Sequence, residues 1–593
     1  MWIFNMVWGW GSGYKSYTQL KAMTLANAIT ELNTDPQWYY DNLNGNGHII
    51  GIWIANDDKT SYQCFDSVTP IIYWNWAWRN WEIIIVKIKT DSSGNLMIPK
   101  AWYNTSWSQA ASYNWRVSYD GWTETKYSGS WSAGSITIAS GLTADTEHTV
   151  VIRPNSESYL WARAFWFYNS WVQTYLTEIV YEWSYKWYGS SSSDSWNHFR
   201  RGQYRWCTSL TTASQEVLPN TITSIWGNFR TYQYSDCTNL TKALQEVCPD
   251  TVTSIWNYFR YYQYQNCTSL TSASQEVFTS WVTSIWNYFR SFQYQNCTNL
   301  TTASTEVLQT WITTIWTYFR SSQYSWCTSL TTLSQEVLPN TITSIWDYFR
   351  NSQYSWCTSL LSSAPEVLSN SITSIWNYFR YYQYNWCTSL LSAAPEALPN
   401  TVTTIWNYFR YNQYYWCTSL ATAAQEVCSN SVTSIWDYFR GYQYKLCTSL
   451  ITSSKEILPD TVTTIWTYFR AHQYYWCTSL ASAAPEVLPD TVTSIWSYFR
   501  AEQYRDCTSL TEIQWWKDLS IWNTFYRTNM YSWCTAMKTV KVFWDVWYSA
   551  INASALANGY VSVVLVPSAY LQNYIDATTY PRSQITNSKF VWY

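Results

Sequence analysis

The chain is short of glycine: it has 16 in 593 residues, where average usage of roughly 7% gives about 40. Charge is scarce too, at 12% of residues with a net charge of -3 and no clustered Lys and Arg. Phosphate binding needs such clusters, so nucleic acid is excluded as a partner. The four histidines, His48, His148, His198 and His472, lie far apart and without metal-ligand spacing, so no metal and no cofactor is expected. No Gly-x-Ser-x-Gly elbow or phosphate loop stands out, and Gly9-Trp10-Gly11-Ser12-Gly13 reads as loop because no strand precedes it. Catalytic residues are therefore not assigned, and an enzyme within the first 105 residues is the competing class. No stretch reaches the roughly 18 apolar residues that span a bilayer. The start, MWIFNMVWGWGSGYKS, has no basic residue ahead of its apolar ones, so it is not an evident signal peptide. Either an export signal lies outside this chain or the protein stays inside.

What is present is a period. From Cys207 the sequence repeats every 30 residues without insertion to Cys507, through Cys237, Cys267, Cys297, Cys327, Cys357, Cys387, Cys417, Cys447 and Cys477, and a shortened copy ends at Cys534. A constant internal period is the mark of a stacked solenoid. A 30-residue unit cannot shelter its own apolar side chains, so each copy must lean on its neighbours. The cysteines total fifteen, an odd number, with one per repeat; they read as a column of buried free thiols, with disulfides between adjacent copies as the alternative.

Within a unit, Cys207, Leu210, Val217, Leu218, Ile222, Ile225 and Phe229 are apolar and interleaved with Ser and Thr, and Pro219-Asn220 punctuates them. Short runs with such turns predict strands of three to five residues. Phe229-Arg230 and Gln233-Tyr234, kept in every complete copy, predict one helical or irregular turn on the opposite side. Upstream, Ile83 to Val86, Tyr113 to Tyr119, SITIA at 135–139, EHTVVIRP at 147–154, Trp161 to Tyr168 and Tyr175 to Tyr181 read as strands, with a turn at Asp120-Gly121; so does His48 to Ile52. Downstream, Val561 to Val566 reads as a strand and Ser568 to Asp576 as an amphipathic helix that Ser568 can cap.

Trp numbers 45, and the Trp and Gly counts look exchanged. The slot before the repeat cysteine holds Trp206, Asp236, Asn266, Asn296, Trp326, Trp356, Trp386, Trp416, Leu446, Trp476 and Asp506. Asn and Asp share with Gly a tolerance of left-handed backbone, and share nothing with Trp. The expectation is that many Trp codons are UGA, read as glycine in the source organism, including the column Trp226, Trp256, Trp286, Trp316, Trp346, Trp376, Trp406, Trp436, Trp466 and Trp496. The alternative is a true ladder of ten stacked indoles along one edge.

Leu488-Pro489-Asp490-Thr491-Val492-Thr493-Ser494-Ile495, followed by the aromatic turn and Cys507-Thr508-Ser509-Leu510, is similar to the BspA-type leucine-rich repeats of bacterial surface proteins. Val566-Pro567 with a segment containing Tyr574 resembles that family's closing segment. The likeness covers about 197 to 593 and implies a right-handed solenoid of short parallel strands, a surface location, and adhesion or binding without catalysis. The unit is 30 residues where the family is usually shorter, and Phe-Arg replaces the customary Ala-Phe. Gly141-Leu142-Thr143-Ala144-Asp145-Thr146 also looks like a corner of fibronectin type III and related Ig-like modules.

The fold class expected is mainly β: a leucine-rich-repeat-like solenoid of 30-residue units preceded by a small Ig-like or fibronectin-III-like β-sandwich. Its divisions are 1–105, a β-rich region of unassigned fold; 106–183, the sandwich; 184–196, a linker or leading cap; 197–534, the solenoid; and 535–593, a C-terminal cap. Three polar or aromatic columns follow from the period. Arg200 and Arg230 to Arg500 put one guanidinium on each rung, about 5 Å apart, and are expected to pair with the column Glu216 to Glu486 or else to form a separate solvated edge. Tyr234, Tyr264, Tyr294, Tyr324, Tyr354, Tyr384, Tyr414, Tyr444 and Tyr474, flanked by Tyr204 and Tyr504, form either an exposed row for a sugar or protein partner or core rings with hydroxyls at the rim. Thr-x-Thr pairs such as Thr221 and Thr223 form a hydroxyl lattice of the kind ice-binding solenoids use, broken at Trp281, Trp311, Ser371 and Ser431. The function expected is a non-enzymatic, extracellular or cell-surface binder of a protein or glycan on a host or neighbouring cell, or else a spacer that presents the N-terminal part.

Overall fold

The computed structural model describes residues 54–55, 62–63, 83–100, 102–103, 112–120, 125–130, 134–154, 164–165, 167 and 172–183. In the array it describes 201–515, apart from a few residues at the 214–222 position of each repeat, and then 530–542, 562–572 and 590–592. Two compact units divide the chain: Met1–Ser192 with Thr212–Thr221, and Ser193–Thr211 with Ile222–Tyr593.

In the first unit, six strands form one sheet in the order Thr212–Ala213, Leu176–Trp183, Ile83–Lys89, Glu147–Pro154, Ser112–Tyr119, Thr125–Ser130. All neighbours are antiparallel except the first pair. The alternation of these segments explains the sheet. Val86, Val150 and Ile179 meet across three strands, and Ile152 meets Val117, and all are buried. Lys87 on the other face bonds Glu178 at 2.9 Å. An antiparallel pair, Leu96–Pro99 with Ser135–Ala139, forms a separate small sheet. The strands expected at 83–86, 113–119, 135–139, 147–154 and 175–181 are thus present, and Asp120 turns the chain with φ 45°. Of Trp161 to Tyr168 only Ala164–Phe165 is a described strand, and His48 to Ile52 lies outside the described residues. Because Ile83–Lys89 sits between Leu176–Trp183 and Glu147–Pro154, a division at residue 105 does not separate these strands. Nothing in this order specifies an Ig-like sandwich.

The second unit is a leucine-rich-repeat-like solenoid. Ser224–Ile225 begins a ten-stranded parallel sheet that ends at Ser494–Ile495, and each strand pairs with its equivalent 30 residues on. Its strands hold two residues, shorter than the three to five expected. The reason is local: shortly past the strand the chain enters a run of left-handed positions, at Asn228, Arg230, Tyr232 and Asp236 in the first copy. No single backbone direction survives that alternation. The irregular turn expected around Phe-Arg and Gln-Tyr is this run. Its amides bond within the turn, as Gln263 N–H to the Arg260 carbonyl at 3.3 Å, and between rungs, as Tyr264 N–H to the Gln293 carbonyl at 2.8 Å.

The core is a set of columns. Ile225 to Ile495, Phe229 to Phe499 and Leu210 to Leu510 are buried in every copy. The twelve cysteines from Cys207 to Cys534 in the repeat column are free and buried, and from Cys237 on each thiol donates to the carbonyl of the preceding rung's tyrosine at 3.0 to 3.1 Å. Buried Gln side chains run alongside, Gln263 Nε2 donating to Gln233 Oε1 at 3.2 Å and Gln293 Nε2 to Gln263 Oε1 at 3.1 Å. Such amide ladders satisfy themselves along the stacking direction. Past the array, Glu512–Trp515, Thr539–Val542, Val563–Val566 and Phe590–Trp592 form a parallel sheet. The predicted helix after Pro567 begins as a 3-10 turn, Ser568–Tyr570; Pro567, not Ser568, holds the capping position, and no side chain caps it.

Candidate interaction surface

A solenoid recognises through whatever its columns leave outside, so each column's position decides its use. The tyrosines Tyr204 to Tyr504, including all nine from Tyr234 to Tyr474, are 0 to 4% exposed, with rings stacked at 5.3 to 5.6 Å. They are core rings and not a contact row. The cause lies in the turn, which folds Tyr234 inward beside Cys237. Burial pushes the Tyr264 hydroxyl far above its ordinary range, against the pull of Arg260 and Arg230.

The arginines are also inside. Arg230 to Arg500 are 0 to 8% exposed, and each guanidinium lies 4.7 to 5.1 Å from the ring centre of the phenylalanine before it. A solvated arginine edge is therefore ruled out. Cation–π contact of this kind contributes more when desolvated, about 2 kcal/mol or more. The glutamate column expected to pair with it has its side chains outside the described residues.

Several rows face outward or partly so, and four of them bear on recognition. Thr223, Thr253, Thr283, Thr313, Thr343, Thr373, Thr403, Thr433, Thr463 and Thr493 are all exposed and unbroken. Six of their hydroxyls, on Thr253, Thr313, Thr373, Thr403, Thr463 and Thr493, donate back to the previous rung's carbonyl at 3.2 to 3.5 Å, and a hydroxyl oxygen that donates can still accept. The neighbouring hydroxyl row is the one interrupted at Trp281 and Trp311. A second outward row changes character along the array: Thr241, Thr271 and Thr301 are exposed threonines, whereas Leu361, Leu391 and Ile451 in the same row are 50, 55 and 52% exposed. The sequence carries this signal in the register of its repeats, where the more conspicuous tyrosine column hides it. The third row is the slot before the cysteine, where Trp206, Trp326 and Trp476 are 40 to 45% exposed. The fourth is the column Trp226 to Trp496, stacked at 4.7 to 5.1 Å.

A cluster of charged and aromatic groups lies late in the array. Lys445 lies 4.8, 4.9 and 5.7 Å from the rings of Tyr475, Tyr442 and Tyr415. His472 stacks on Tyr442 at 4.4 Å with Nδ1 3.3 Å from Glu502, and Glu502 bonds Arg505 at 3.0 Å. Burial pushes the imidazole down to about 4, although Glu502 opposes it, so it is neutral at pH 7. Among the described residues no group of three or more His, Cys, Asp or Glu is placed to hold a metal ion, and no helix is long and apolar enough to cross a membrane.

No protein-family model matches the sequence, and no curated protein matches it. The solved structures it is similar to include the pneumococcal vaccine antigen PcpA, at 11% identity over 63% of this chain and 85% of that one, TM-score 0.28, and a leucine-rich repeat protein from Eubacterium ventriosum, at 15% identity over 54% and 72%, TM-score 0.26. The solenoid described above rests on the strand register of this chain itself.

Proposed function

We propose that the chain is a non-enzymatic binding protein of the bacterial cell surface that engages a protein or glycan on a host or neighbouring cell through its solenoid. The observation that supports this most is repetition on the outside: ten exposed threonines in one unbroken row, with Leu361, Leu391 and Ile451 exposed in another. Each such position offers a weak contact, and equal contacts linked in series reach high avidity without any single strong site. With the Tyr204 to Tyr504 column buried, these rows are the repeated outward features that carry the reading. The resemblance of the repeats to BspA-type surface proteins supports the location.

The test is deletion of residues 327–446, four whole repeats, from the full chain, which joins Trp326 directly to Cys447 and so keeps the slot-to-cysteine register. Retention of the protein on cells of the partner type is then measured. A binder loses most of its retention, by about tenfold or more, because avidity falls steeply as linked contacts are removed. Unchanged retention means that the array is a spacer, and contradicts the proposal.

A further inference from the structure

The slot before the repeat cysteine carries a second message. In all twelve copies its backbone is left-handed, with φ from 59° to 65°: Trp206, Asp236, Asn266, Asn296, Trp326, Trp356, Trp386, Trp416, Leu446, Trp476, Asp506 and Trp533. An L side chain is disfavoured there, and glycine, then Asn and Asp, are the residues that fit.

Left-handed backbone alone would not single this slot out, because three other columns share it. Two of them hold nearly one residue type each: Arg230 to Arg500, at φ 51° to 55°, and Tyr258 to Tyr498, at 54° to 61°. Those side chains are fixed, the arginines over phenylalanine rings and the tyrosines in a stack at 4.4 to 4.8 Å. The third column, from Tyr232 to Glu502 at φ 50° to 57°, admits Tyr, Phe, Ser, Asn, His and Glu. That is the range of a left-handed position that tolerates side chains.

The slot behaves otherwise. It admits Trp, Asn, Asp and one Leu, and no Tyr, Phe or Ser, in a chain with 53 Tyr and 20 Phe. Where four copies carry Trp in succession the indoles stack, Trp326, Trp356, Trp386 and Trp416 at 4.2 to 4.3 Å, but Trp206 and Trp476 have only Asp or Leu in the neighbouring slots, so stacking along the column does not select Trp there. Nor does burial select the indole, since Trp206, Trp326, Trp476 and Trp533 are 40 to 58% exposed. Across the chain Trp outnumbers Gly, 45 to 16, where average glycine usage gives about 40.

We infer that Trp206, Trp326, Trp356, Trp386, Trp416, Trp476 and Trp533 are glycine positions, encoded by UGA and filled with glycine in the organism that makes this protein. The column Trp226 to Trp496 is a separate case, because its backbone is not left-handed. The consequence for recognition is direct. In the native protein the slot presents bare backbone, so the exposed indoles are not a ligand platform, and the threonine and aliphatic rows remain as the contact surface.

The experiment reads codons and residues together. The gene is sequenced at the seven positions, and the protein isolated from its own source is digested with trypsin. The peptide 351–380, which follows Arg350 and ends at Arg380, is then fragmented to read residue 356. The result expected is UGA at the slot codons and the mass of glycine at position 356. UGG codons, or the mass of tryptophan at 356 whatever the codon, would overturn the inference.

Discussion

A single cysteine shows how strongly each rung depends on the next. Cys327 is buried, its thiol donates to the Tyr294 carbonyl of the rung before it at 3.1 Å, and burial pushes its pKa up to about 12. The thiolate is the reactive form, so a column held this way is inert. In native buffer the twelve column cysteines from Cys207 to Cys534 are expected to resist a thiol-reactive dye over hours and to react together in denaturant. Fast native labelling of most of them would contradict the buried column. At this scale the sequence was a partial guide. Periodicity placed Cys207, Leu210 and Phe229 in the core correctly because their chemistry allows nothing else. Tyr234 is ambiguous from sequence because it has an apolar body and a polar end, whereas Arg230, expected in a glutamate-paired column or at a solvated edge, is buried; the left-handed turn, invisible in composition, folds both inward.

The two-residue strand is the smallest element here, and its worth comes from repetition. Ser374–Ile375 pairs with Ser344–Ile345 on one side and Thr404–Ile405 on the other, so Ile375, fully buried, touches equivalents above and below. Removing its branched side chain leaves a cavity that the fixed rung spacing cannot close. Ile375→Ala is expected to destabilise by about 2 to 5 kcal/mol, read as a shift in the denaturation midpoint. Thr373→Ala on the exposed row is expected to change it by less than about 1 kcal/mol, since it removes one solvent-exposed hydrogen bond. Equal effects of the two substitutions would mean that the faces are assigned wrongly. Element boundaries were the least legible part of the sequence. Alternating Ser, Thr and Ile promised longer strands, and the turn chemistry that cuts them short uses Tyr and Arg where Gly or Asn would have announced it. In the N-terminal unit the opposite holds: SITIA alternates, EHTVVIRP carries a Val-Val-Ile run, and the strands Ser135–Ala139 and Glu147–Pro154 fall where those patterns put them.

At the scale of the second unit, one claim supports the rest: successive 30-residue units stack in register, each covering the apolar face of the one before. Its most direct test is distance against repeat number. Spin labels are placed in pairs on the exposed threonine row, at Thr283 with Thr403 and at Thr283 with Thr463, and the pair distances are measured by pulsed electron resonance. Neighbouring strands lie about 4.8 Å apart, so four rungs give about 19 Å and six about 29 Å between backbones, a rise in proportion to the number of repeats. Distances that failed to rise with repeat number would contradict the solenoid and every column built on it.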